Sequence, residues 1–348
     1  MIMKPIRPSI FYIDFLRFIA AFAVIAIHVL GPFRELYGQI PDLEWLAAAG
    51  INSVTRWAVP VFMMISGALL LSTERAFNCE EYLSKRVVKV VVPFVGWTLI
   101  YAIIGGFMVN DVFTATWSSS ETIRLIEDSP NDPVWYHLWF FYDFIPLYFV
   151  IPFLLPLLKK MSPELNKLIV VVFMILFLMN WLKVDSFLQQ NFILYTGYLI
   201  LGWYLFNRDN TQQLRNWLIL GVAMLVFNFF GTWVMAIESG KYSSFFMGYK
   251  TLNTVIIGAM IFVLAQTYAH HIKGRACTLI SIFSKYSLGI YLLHPIILIP
   301  VRDLNNGFYS FFASNWLAIP IITMLVMIIS LLCTMLMAKI PFIKRLLP

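Results

Sequence analysis

The sequence predicts an all-α, polytopic membrane helix bundle with about ten transmembrane helices and both termini in the cytosol. Three observations carry this. Apolar runs of about 20 residues recur from end to end, each long enough to cross a hydrocarbon core. Only 12% of the 348 residues are charged, about half the fraction of a soluble protein. The Lys and Arg residues concentrate between alternate runs. Apolar runs of this length must be helical, because lipid offers the backbone no hydrogen-bond partners. No long polar stretch remains to form a second domain, so residues 1–348 read as a single membrane-embedded domain.

The spans fall near 10–31, 51–71, 87–108, 135–158, 167–182, 191–206, 215–236, 250–269, 280–300 and 315–338. With the N-terminus inside, cytosolic segments hold 17 Lys and Arg and outer segments 7, with Arg17 counted apart as intramembrane. This satisfies the positive-inside rule. The net charge of +7 therefore reflects topology, not nucleic-acid binding. The segment between the third and fourth spans carries Asp111, Glu121, Glu127, Asp128 and Asp132, which suits the outer face. Cys79 and Cys277 fall in cytosolic loops and Cys333 in the last span, so no disulfide is expected.

The first span is long enough to cross, holds charges within its apolar stretch and has no small-residue cleavage site after it. It reads as a retained helix, not a signal peptide. Ionisable groups inside spans are costly and hence candidates for function. Here they are Asp14, Arg17 and His28. Asp14 and Arg17 can pair across one turn, which would also suit a snorkelling Arg near the inner surface. His28 follows Arg17 by 11 residues. That is three turns plus about 20°, so both share a face about 16 Å apart. A His and an Arg on one stripe at different depths suggest a lined channel, and a neutral imidazole can take a proton from a hydroxyl near neutral pH.

In the second span, Pro60 is expected to kink the helix and free backbone groups toward a cavity. Ser66 and Gly67 suit close helix packing or a pocket wall. The third opens with Lys85-Arg86-Val87-Val88-Lys89 before Pro93. This is an ordinary positive flank in isolation; beside a polar channel, Arg86 and Lys89 on one face could clamp phosphates. The fourth opens with Trp135-Tyr136-His137-Leu138-Trp139-Phe140, whose aromatic residues match an interfacial belt; His137, and Asp143 deeper in the same helix, are less easily explained so. The ninth holds Tyr291 and His294 three apart. By direction of travel, His28, His137 and His294 lie in the outer half and Arg17, Arg86 and Lys89 in the inner half. His270 and His271 fall in a cytosolic loop and read as solvated.

Four segments together resemble the acyltransferase-3 family of bacterial inner-membrane proteins: Arg17, ten residues, then His28; Val59-Pro60-Val61-Phe62 through Ser66-Gly67; His137-Leu138-Trp139-Phe140; and Ser287-Leu288-Gly289-Ile290-Tyr291-Leu292-Leu293-His294. They run across most of the chain in family order, in a stand-alone form. The resemblance implies a multi-pass inner-membrane O-acetyltransferase. It would move acetyl from cytosolic acetyl-CoA, with no metal, to a hydroxyl of a cell-envelope glycan or its lipid-linked precursor. It implies catalytic roles for Arg17 and His28, the latter as base or transient acyl carrier. Arg17, Arg86 and Lys89 would bind the donor. The reading of the spans themselves adds Asp14, Ser66, His137, Asp143, Tyr291 and His294 as further pocket residues. The family's basic pair is usually Arg-x-x-Arg; here Lys89 keeps the charge but loses the bidentate fork. The rival class is a secondary transporter for a lipid-linked sugar or small anion, which should show paired broken helices in two halves; no such pairing is visible.

Overall fold

A computed structural model describes residues 10–73, 77–109, 112–114, 116–303, 312 and 314–347. Lys4, Arg7, Arg75 and Asp111, used in the charge reading, lie outside them. The helices are α1 (Phe11–Arg34), α2 (Asp42–Thr55), α3 (Ala58–Leu71), α4 (Cys79–Arg86), α5 (Val92–Gly105), α6 (Ser119–Asp128), α7 (Trp139–Lys160), α8 (Pro163–Trp181), α9 (Asn191–Phe206), α10 (Leu214–Ser239), α11 (Leu252–Tyr268), α12 (Arg275–Lys285), α13 (Ser287–Asp303) and α14 (Asn315–Met337). A two-stranded hairpin, Met108–Val109 with Val112–Phe113, precedes α6.

Each expected span falls on a helix. Among the described residues, eight helical segments are long and apolar enough to cross a membrane. The sixth expected span is the shorter apolar helix Asn191–Phe206, and the ninth is bent by 72° where α12 meets α13. The second is longer than expected, because α2 extends it back to Asp42. Its break lies at Arg56 and Trp57, upstream of Pro60. Pro60 has no N–H to offer the Arg56 carbonyl four residues earlier, so the ladder fails at the acceptor end. The fourth starts at Trp139; the expected first turn from Trp135 to Leu138 is non-helical.

α1 is the hub. It packs on α2, α3, α11, α12, α13 and α14, and its Ala20, Ala23, Val24 and Ile27 are buried in the main apolar core. α8 and α10 are peripheral and turn Val171, Ile175, Val222, Val226 and Val234 outward. That would be costly in water and is natural against lipid, where polar pairs join helices instead. Asn253 Nδ2 donates to Asn228 Oδ1 at 2.6 Å, tying α11 to α10.

The tightest crossing is α3 on α9. A Cβ at Gly67 would collide with the Leu199 carbonyl, and one at Gly202 with the Met64 carbonyl. Neither clash involves a flexible side chain. Gly67→Ala and Gly202→Ala are each expected to lower stability by about 1–3 kcal/mol or more, as overpacking does. Thermal unfolding in detergent checks this; unchanged melting would mean the helices are not in backbone contact.

Candidate functional site

Two cavities lie toward opposite ends of the bundle. Their lining residues Arg17 and Arg34 both sit on α1, about 25 Å apart at the helical rise.

The first cavity, about 420 Å³, is lined by Arg17, Ser66, Lys89, Tyr148, Ser284 and Tyr291, among apolar residues that include Phe140 and Phe144. Asp14 stands beside it: Ser284 Oγ donates to Asp14 Oδ1 at 2.6 Å, and Arg17 lies 3.7 Å from the same oxygen. Ser66 Oγ donates to the Phe62 carbonyl at 3.1 Å, while Gly67 faces α9 instead. Lys89 lines this cavity and Arg86 does not. Residues Val87–Val91 form a π-turn, because Pro93 cannot donate to the Lys89 carbonyl and the ladder re-registers. Lys89 reaches the cavity wall; Arg86 packs over the Tyr82 and Tyr148 rings at 5.5 and 5.6 Å, one ring behind it.

The second cavity, about 920 Å³, is lined by His28, Arg34, Arg56, Trp135, Tyr136, Trp139, Tyr249 and Arg302, among others. Between the cavities stands a histidine layer. His28 Nδ1 lies 2.6 Å from His294 Nε2, and His294 Nδ1 lies 2.7 Å from the Tyr291 carbonyl. The Tyr291 hydroxyl donates to the His137 carbonyl. His137 is fully buried in the turn before α7, with no hydrogen-bond partner for either nitrogen among the described residues, its ring 5.7 Å from that of His294.

The proline positions explain the layer. Pro295 has no N–H for the Tyr291 carbonyl four residues earlier, which leaves that oxygen free to accept from His294. Pro32 likewise frees the His28 carbonyl, and Arg302 Nη2 donates to it at 3.2 Å.

These contacts assign the proton positions. A carbonyl only accepts, so His294 Nδ1 carries the proton. In the neutral ring His294 Nε2 is then an acceptor, and His28 Nδ1 must donate to it. Neutral His28 therefore has its lone pair on Nε2, which makes no hydrogen bond among the described residues. A base or nucleophile held in one tautomer by a second group is the arrangement used for attack by a hydroxyl.

Of the residues singled out from sequence, the structure brings Arg17, Ser66, Lys89 and Tyr291 to one cavity and His28 to the other, with His294 and His137 between. Asp143 lines neither: it accepts from Asn191 Nδ2 at 2.9 Å and joins α7 to α9. Tyr136, Tyr148, Ser284, Arg56 and Arg302 were not singled out, and only the prolines hinted at Arg302. Among the described residues no group of three His, Cys, Asp or Glu is arranged to hold a metal.

A family model described as an acyltransferase domain, that of acyltransferase-3, matches residues 10–335. No curated protein and no solved structure matches the chain.

Proposed function

The chain belongs to the acyltransferase-3 family, and from this premise we propose that it is a multi-pass O-acetyltransferase of the bacterial inner membrane, taking acetyl from cytosolic acetyl-CoA and delivering it to a hydroxyl of an envelope glycan or its lipid-linked precursor. Membrane acyltransfer follows from the family; donor, acceptor and sidedness are our reading. The single observation that carries it is the His28–His294 pair standing between two cavities of different character.

In this reading the cavity of Arg17 and Lys89 faces the cytosol, where the excess of Lys and Arg lies. The charged nucleotide part of acetyl-CoA cannot cross hydrocarbon and stops there, held by cations. The thin pantetheine arm passes Phe140 and Tyr291, and the thioester reaches His28. The Arg17–His28 rise of about 16 Å is comparable to that arm. His28 Nε2 removes the proton from the acceptor hydroxyl as its oxygen attacks the thioester carbon. The C–S bond breaks, and the leaving thiolate takes the proton from His28. His294 accepts from His28 Nδ1 throughout and favours the imidazolium that forms. The two cavities allow donor and acceptor to be present together, which supports His28 as base over acyl carrier.

The test is a titration of purified protein with acetyl-CoA, following thiol release. We expect release only with acceptor present. A stoichiometric burst without acceptor would point to an acetyl-His28 intermediate, and no release with any hydroxyl acceptor would sink the reading in favour of a transporter. In the same assay Lys89→Gln should raise KM for acetyl-CoA roughly tenfold or more, the weight of one charge-assisted hydrogen bond, with kcat nearly kept. A fall in kcat at unchanged KM would contradict donor binding there.

A further inference from the structure

We propose that the larger cavity binds its occupant through an oxyanion, a carboxylate or a phosphate held by Arg56 and Arg302 while aromatic rings take the sugar faces. The inference rests on the acyltransferase reading only in taking that occupant to be the acceptor.

The cavity wall carries Arg34, Arg56 and Arg302 against one acidic residue, Glu121. Glu121 is taken up by Arg124, whose Nε donates to it at 2.9 Å, and Arg34 is paired to Glu35 at 2.9 Å. Arg56 and Arg302 have no carboxylate in ion-pair range among the described residues. Both are nevertheless held rigidly. Arg56 donates from Nε to the Met247 carbonyl at 2.6 Å and from Nη1 to the Tyr249 hydroxyl at 3.1 Å, and its guanidinium lies 4.1 Å above the Tyr249 ring. That ring is itself stacked on Trp139 at 5.5 Å. Arg302 lies 4.8 Å over the Tyr136 ring and is fixed by the carbonyl that Pro32 frees; its Nε is sealed from solvent with no partner.

Two fixed, partly desolvated guanidinium groups without counter-charge are costly unless a ligand supplies the anion. Arg56 Nη2 makes no hydrogen bond among the described residues, and Arg302 lines the cavity with its Nη groups beside the His28 carbonyl and the Tyr136 hydroxyl. Trp135, Tyr136 and Trp139 line the same cavity with aromatic surface of the kind that packs against sugar rings. His28 lines the same wall, so an anchored acceptor would hold its hydroxyl near Nε2. The oxyanion could be a uronic acid carboxylate in the glycan or the diphosphate of a lipid-linked precursor.

Calorimetric titrations of the detergent-purified full chain separate these. The probes are a tetrasaccharide alternating glucuronic acid with N-acetylglucosamine, the neutral chitotetraose, and geranyl diphosphate. We expect at least one charged probe to bind ten times tighter than chitotetraose or better. The preference should shrink at high salt and be lost in Arg56→Gln and Arg302→Gln, while Arg56→Lys keeps part of it. Which charged probe wins identifies carboxylate or diphosphate. The wild-type comparison stands even if a variant fails to fold. Equal binding of neutral and charged probes, no binding of either charged probe, or a preference that survives both Gln substitutions in folded protein overturns the proposal. Thiol release without charge preference would leave the acyltransferase reading intact; charge preference without thiol release would leave only the anion site.

Discussion

Replacing His28 with Ala is expected to abolish acetyl transfer while the protein still accumulates in the membrane. The ring lines a cavity and makes one side-chain hydrogen bond, to His294. Its loss removes no large part of the core, whose α1 contacts come from Leu16, Ala20, Ala23 and Ile27. Losing a positioned general base typically lowers a rate by about 10²–10⁴-fold. Added imidazole, small enough for the vacated space, should restore part of the activity. Acetylation of the glycan at the wild-type level in the Ala variant would reduce His28 to a packing residue.

His294 is expected to have the second largest effect, through position and not contact with substrate. It fixes the His28 proton on Nδ1 only because its own Nδ1 is committed to the Tyr291 carbonyl. His294→Phe keeps a ring in the space but removes the acceptor, so His28 is free to adopt the tautomer with its lone pair turned away. Mis-set tautomers cost serine hydrolases about 10⁴-fold in kcat; here a loss of about 10²–10⁴-fold is expected, in kcat with little change in KM for acetyl-CoA. His294→Gln offers a carbonyl oxygen to His28 Nδ1 and should recover part of it. A purely structural role for His294 predicts no difference between Phe and Gln variants of equal abundance.

How far the sequence foretold this differs by feature. The bundle was legible because span length is set by the bilayer and read directly from apolar runs. The spacing of Arg17 and His28 along the axis was legible because both lie on one helix. Helix breaks were not placed correctly. The second span breaks at the residue whose carbonyl Pro60 leaves unbonded, and the ninth bends at Tyr286, where no Pro or Gly marks the site. The π-turn before Pro93 lies between Arg86 and Lys89, where the sequence reading assumes an unbroken helix. The His28–His294 pair joins residues 266 apart in the chain, and helix packing alone sets such a contact. A signal was nevertheless present: Pro32 and Pro295 stand four residues after His28 and Tyr291, and each frees a carbonyl that the site uses. Asp143 is an ionisable group in a span, yet it lines neither cavity and accepts a hydrogen bond from Asn191. Arg302 and Arg56 were counted only as outer charges, since nothing in a linear sequence shows that they line the same cavity.

In the proposed function, acetyl crosses the membrane plane between a donor held at the Arg17–Lys89 end and an acceptor held at the His28 end. Sealed vesicles of one orientation test it most directly, with radiolabelled acetyl-CoA supplied at the cytosolic face and acceptor glycan only at the other. Labelled glycan is expected at the outer face, formed by the wild type and not by His28→Ala. Label appearing only when both substrates share the cytosolic compartment would contradict transfer through the bundle.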